Sequence, residues 1–131
     1  MYPGDLRYTK EHEWVRLQGE IATVGITYYA QKELGDVVYV EMPKLGAKLT
    51  AGKSMGTVES VKAVSDIFSP VAGEVTEVNS VLNQTPETIN NDPHGQGWLI
   101  KMKVDDPGAV SALMDAAAYQ AFISEQKDAA H

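Results

Sequence analysis

The chain has 131 residues, 44% of them apolar, enough for one domain with a real hydrophobic core. It contains no cysteine, so disulfides, thiolate metal ligands and a cysteine nucleophile are excluded together, and any thiol chemistry must come from an attached group. A formal net charge of −7 argues against nucleic acid and anionic membranes as partners. No run approaches the length of a membrane span, and Met1 to Asp5 lacks the basic and apolar regions of a signal peptide, so a cytoplasmic location is expected.

Strands are expected around Trp14 to Leu17 and Ile21 to Ile26, with a turn at Gln18-Gly19-Glu20. A helix follows: Thr27 can cap its N-terminus, Leu34 sits near its end, and Gly35 suits the left-handed position beyond it. Strands resume at Val37 to Glu41, Lys53 to Val61, Val64 to Phe68, Gly73 to Val78 and Gly97 to Val104. Between Asn79 and Gln96, two prolines, Gly95 and further asparagines predict irregular turns with one helical turn. Asp106-Pro107 is a cap and first-turn pair, and Asp115 can cap a second helix with Tyr119, Phe122 and Ile123 on one face. The pattern is that of a mainly β fold, a sandwich with helices as an added layer. We expect a single domain over 1–131, its core at about 20–104 and its C-terminal helices at about 106–127.

The most informative stretch is Val58-Glu59-Ser60-Val61-Lys62-Ala63-Val64-Ser65-Asp66-Ile67. Its β-branched residues favour extended structure on both sides of Lys62, so two strands meet there through a loose turn over Ser60 to Ala63. A one-residue slip in register would turn the lysine inward, and an enzyme can therefore recognise this lysine by position. Read alone, Lys62 is an ordinary surface lysine. The flanks argue for more, because each side carries a strand and then a Gly-bearing turn roughly ten residues away, at Gly52 and Gly73.

Other constellations carry less. Gly46 to Ser54 approaches a phosphate-binding loop, but it has five residues between the glycines where the motif requires four, and it leads into a strand rather than a helix. His12, His94 and His131 lack metal-ligand spacing and are expected to be solvated or hydrogen-bonded. Glu11 and Glu13, at alternate strand positions, are expected to share a solvent-facing side. Nothing assembles a nucleophile, base and oxyanion donor.

Four runs carry a family resemblance: E-H-E-W at Glu11 to Trp14, V-G-I-T-x-x-A-Q-x-x-L-G-D at Val24 to Asp36, E-S-V-K-A at Glu59 to Ala63, and S-P-V-A-G-E-V at Ser69 to Val75. Together they resemble the H protein of the glycine cleavage system, from about Tyr8 to the C-terminal helix. The resemblance implies a barrel-sandwich hybrid, lipoyl/biotinyl-domain-like, with an N-terminal helix insertion, C-terminal helices and a quasi-twofold arrangement about the lysine. It implies lipoate on Lys62 and a carrier without catalytic residues of its own, whose chemistry belongs to the cofactor. About eleven bonds would link the Lys62 Cα to the dithiolane ring, each advancing roughly 1.25 Å, for a reach on the order of 14 Å. The implied partners are a pyridoxal-phosphate glycine decarboxylase (P protein), a tetrahydrofolate-dependent aminomethyltransferase (T protein), dihydrolipoyl dehydrogenase (L protein) and a lipoate-attaching enzyme. By similarity, Glu13 and Asp66 are candidates for lining a cleft that shelters the loaded arm, against an even reading of both as solvated acids. Glu59 is a candidate for recognition by the attaching enzyme. Departures from the family pattern fall at Glu11, Tyr29 and His94 and bear on the cleft rather than on the lysine.

Alternatives stay open at this point. One is an H-like carrier that relays lipoate to other proteins without glycine turnover. A lipoyl domain of a 2-oxo acid dehydrogenase would read D-K-A at the lysine, where this chain has Val61, and would be followed by further domains; a biotin carrier would read M-K-M, for which Val61 and Ala63 are both wrong. The last is a structural protein in which Lys62 is never modified.

Overall fold

The structure, a computed structural model that describes residues 2–129, rests on two open antiparallel sheets. Six strands form the first: β1 (Arg7–Tyr8), β2 (Glu13–Gln18), β3 (Ile21–Ile26), β5 (Lys48–Leu49), β8 (Gly73–Val78) and β9 (Ile100–Val104), in the spatial order β1-β2-β3-β9-β8-β5. The second sheet has β4 (Val37–Glu41), β6 (Ser54–Ser60) and β7 (Val64–Phe68), with β6 in the middle. Four helices complete the chain: α1 (Tyr28–Leu34), α2 (Thr88–Asn91), α3 (Pro107–Ser111) and α4 (Ala116–Ala129). The barrel-sandwich architecture, the helix inserted after β3 and the C-terminal helices all match expectation.

The main core lies between the sheets. Val15 and Val24 from the first sheet, Val40, Val58 and Ile67 from the second, and Val75, Ile100 and Met102 from β8 and β9 belong to one buried cluster. Each such side chain contributes roughly 1.5–3 kcal/mol by leaving water. A second cluster, Leu6, Tyr8, Trp14, Tyr119 and Ile123, joins α4 to β1 and β2. Trp14 pairs with Gly25 across the β2–β3 hairpin, and a Cβ on Gly25 would stand 2.7 Å from the indole, so that ring needs the glycine.

The lysine hairpin is long and crosses between the sheets. From Glu59↔Val64 the pairing runs down to Ser54↔Phe68, continues through Ser69 N–H to Lys53 O at 2.9 Å and Gly52 N–H to Ser69 O at 2.8 Å, and passes into the first sheet at Leu49↔Gly73 and Lys48↔Glu74. The two flanks seen in the sequence are therefore two arms of one paired structure. Gly56 sits where β4 presses closest, since a Cβ there would overlap the Glu41 carbonyl.

Several boundaries differ from the sequence reading. The strand expected from Gly97 begins at Ile100 because Gly97 and Trp98 donate to Asp92 O and Gly95 O in a turn. The segment expected to hold one helical turn holds two, a 3₁₀ turn at Ser80–Asn83 and α2. Glycine-rich Gly46 to Ser54 leads through β5 into β6, with no helix for a phosphate to meet.

Candidate functional site at the Lys62 hairpin

Ser60 builds the turn. Its buried side chain accepts hydrogen bonds from Lys62 N at 3.3 Å and Ala63 N at 3.1 Å, while its own N–H donates to Ala63 O at 2.7 Å. Serine suits this position because its hydroxyl can take turn N–H groups that have no strand partner. Lys62 is exposed at the apex between Val61 and Val64, themselves 70% and 66% exposed. No ion pair among the described residues engages its ammonium. Its stem lies over Gly35 at the end of α1, with Cε 3.9 Å from where a Gly35 Cβ would stand.

That end of α1 borders a cleft of about 320 Å³. Glu11 and His12 line it from the turn before β2, Tyr29, Glu33 and Leu34 from α1, and Ser65 from β7. Helix α1 is placed as its ends predict: Thr27 Oγ1 accepts from Ala30 N at 3.2 Å, and Gly35 takes φ 78°. Tyr119 of α4 holds both walls together. Its hydroxyl lies 2.7 Å from Thr27 Oγ1 and 2.8 Å from His12 Nδ1, and its ring stacks on Tyr8 at 4.7 Å between centroids. Burial lowers the His12 pKa against the opposing pull of Glu11, Gln126 and Glu33, which favours the neutral imidazole, whose Nδ1 can accept from Tyr119 in the Nε2–H tautomer.

Glu11 and Glu13 do not share a face. His12 has left-handed backbone, φ 72°, within a turn closed by His12 N–H to Thr9 O at 3.1 Å and Thr9 N–H to Glu13 O at 3.0 Å. The turn leaves Glu11 exposed in the cleft wall and sends Glu13 inward, where it is 2% exposed. Thr9 Oγ1 donates to Glu13 Oε1 at 2.6 Å, and Phe68 N donates to Oε2 at 3.3 Å, so the carboxyl joins β2 to the edge of the lysine hairpin. Burial pushes its pKa from 4.5 up to about 7, against the opposing pull of those two donors. Glu13 is thus neither a solvated acid nor part of the cleft wall.

Asp66 and Glu59 lie elsewhere again. Pairing of Thr57 with Asp66 and of Glu59 with Val64 puts all four on the outer face of the second sheet, while Val58 and Ile67 point into the core. Asp66 Oδ1 is 3.5 Å from Ser54 Oγ, and its neighbour Ser65, on the opposite face, is the residue that reaches the cleft. Among the other departures, Tyr29 lines the cleft and stacks near His12, whereas His94 Nε2 accepts from Tyr28 N at 3.1 Å, at the start of α1. His131 lies outside the described residues. Sequence reading missed Glu33 and Ser65, although the i, i+4 spacing of Tyr29 and Glu33 on α1 was a usable signal.

Fold and site together define a lipoyl-domain-like barrel-sandwich whose distinguishing element is a lysine presented at a hairpin tip beside a cleft. Comparison with known proteins agrees. The family model described as glycine cleavage H-protein matches residues 6–126. A glycine cleavage system H protein of Anaeromyxobacter sp. (strain K) is 56% identical over 125 residues, covering 95% of this chain and 98% of the relative. That of Myxococcus xanthus (strain DK1622) is 54% identical over 121 residues, covering 92% and 94%. The crystal structure of a glycine cleavage system H protein from Mycobacterium marinum superposes with a TM-score of 0.82 at 41% identity, covering 89% of this chain and 94% of that one. The chain belongs to the glycine cleavage H-protein family, and its role is that of a lipoyl carrier component of the glycine cleavage system. A carrier that relays lipoate without glycine turnover is not favoured by these relatives.

Proposed function

We propose that Lys62 is the lipoyl attachment site, and that the protein carries the aminomethyl group of glycine from the P protein to the T protein and is then reoxidised by the L protein. The observation that carries this reading is the placement of Lys62, exposed at a hairpin apex with its stem over Gly35, at the end of the helix that lines the cleft. A lipoyl group supplies the one thing a chain without cysteine lacks, a disulfide that can accept a one-carbon unit and be reduced. The protein's own residues do the rest. Ser60 holds the turn so that the lysine faces outward, and the tether raises the local concentration of the carried group at each docked partner.

Glu11, Glu33 and Tyr29 give the cleft two carboxylates and a hydroxyl, which suit a protonated amine on a returning arm. Glu59 and Asp66, on the outer face beside the tip, are assigned to recognition by the lipoate-attaching enzyme; substituting both should slow lipoylation or transfer more than it lowers stability, and unchanged rates would sink that assignment. The protein acts as a non-catalytic carrier in the cytoplasm, with no nucleic-acid or membrane partner. Among the described residues, no helix is long and apolar enough to cross a membrane.

The test is intact mass of protein from lipoate-competent cells, with peptide mapping across Lys62. One lipoyl increment on the Lys62 peptide, absent from Lys62→Arg, supports the assignment. An unmodified chain in competent cells, or an increment on another lysine, refutes it.

A further inference from the structure

Beyond the last β4–β6 pair, Val37↔Ser60, one more backbone bond among the described residues ties the hairpin tip to the chain outside its own strands and turn. Val61 N–H donates to Asp36 O at 3.0 Å, immediately before Lys62, and the Lys62 stem lies over Gly35. Both contacts fall on the short link from α1 to β4, so that link is the strut on which the tip leans. Among the described residues, a single side chain from elsewhere in the chain holds it. Asn90 of α2 donates from Nδ2 to Gly35 O at 2.8 Å and to Gln31 Oε1 at 3.1 Å, and its Oδ1 accepts from Val37 N at 2.9 Å. Two of these partners are backbone groups of opposite polarity on either side of Asp36, so the amide cannot flip without setting like against like. No aspartate, serine or alanine offers two donors and an acceptor in that arrangement.

We propose that Asn90 is a positioning residue for Lys62: by clamping Gly35 and Val37 it fixes the Asp36 carbonyl, and through Val61 it sets how the lysine is presented to the attaching enzyme and to partner active sites. The proposal rests on Lys62 as the attachment site for its functional half only. Asn90 does not line the cleft, and it acts through the backbone of Gly35, Val37, Asp36 and Val61.

Amide hydrogen exchange on the full-length protein, wild type against Asn90→Ala and Asn90→Asp, tests the structural half, with exposed Asn91→Ala as control. Exchange at Val61 should quicken by about tenfold in Asn90→Ala, the scale expected when a half-buried side chain with three hydrogen bonds is removed. In Asn90→Asp the variant-to-wild-type ratio at Val61 should fall as pH is lowered, because a protonated carboxyl regains one donor for Gly35 O. A residue that only held α2 in place would show no such recovery. In lipoylation assays the same variants should lose about fivefold in kcat with KM for the protein unchanged, because the recognition surface is intact and the lysine is misplaced. Faster exchange at Val37 alone, with Val61 exchange and lipoylation as in wild type, overturns the proposal. So does failure of both variants to fold, which would make Asn90 a residue of the fold at large. A wild-type protein that takes no lipoyl group would defeat the attachment assignment, while Val61 exchange, which needs no attached group, would still decide whether Asn90 holds the tip.

Discussion

At the hairpin tip, Val61, Lys62 and Ala63 are exposed and held by a serine hydroxyl and a few backbone hydrogen bonds. Below it, Glu13, Trp14 and Tyr119 are buried, and every polar group on them has a partner. The difference teaches how a carrier divides its labour. The tip needs reach and access and contributes little to stability, whereas the floor holds β2, α1, α4 and the hairpin edge in one arrangement. Substitutions in the floor should therefore move stability, and substitutions at the tip should move function.

The largest stability effect is expected at Trp14, fully buried with its Nε1 donating to Pro93 O at 2.8 Å. Trp14→Ala should cost about 4 kcal/mol in denaturant unfolding, combining lost burial with a cavity. Glu13 comes next and depends on pH. Its folded pKa, about 7, stands above the ordinary 4.5. Between those values the folded state keeps a proton that the unfolded state has lost, so stability falls as pH rises through the window, and below it there is no penalty. Glu13→Gln does not titrate, so its stability relative to wild type should climb by on the order of 3 kcal/mol from pH 4.5 to just above 7 and then level off. A pH-independent difference would contradict the buried, proton-holding carboxyl. Tyr119→Phe is smaller still: removing the hydroxyl between Thr27 and His12 should cost about 1–2 kcal/mol by thermal or chemical unfolding.

The tip was the more legible of the two regions. Lys62, the loose turn over Ser60 to Ala63, the Thr27 cap and the Gly35 terminator all depend on local chemistry, which a sequence displays directly. The floor was less legible because it depends on a turn with no glycine in it. His12 adopts left-handed backbone where nothing in E-H-E-W marks a reversal, so strand alternation placed Glu11 and Glu13 on one side when the chain separates them. Two-residue strands such as β1 and β5 are too short to show any alternation. Asn90 was hidden for another reason: in an asparagine-rich loop it reads as a turn residue, and its partners at Gln31, Gly35 and Val37 lie more than fifty positions away.

At the smallest end of the stability scale, Lys62→Arg should shift unfolding by no more than about 0.5 kcal/mol, since the side chain is exposed and makes no ion pair among the described residues. Its functional effect should be total, and it is the most direct test of the tip as the working part of the molecule. The measurement is exchange of labelled bicarbonate into the glycine carboxyl with a matching glycine decarboxylase, using lipoylated wild type and Lys62→Arg at equal concentration. Exchange supported by the wild type and absent with the variant is the predicted result; equal exchange from both would contradict the assignment of the carried group to Lys62.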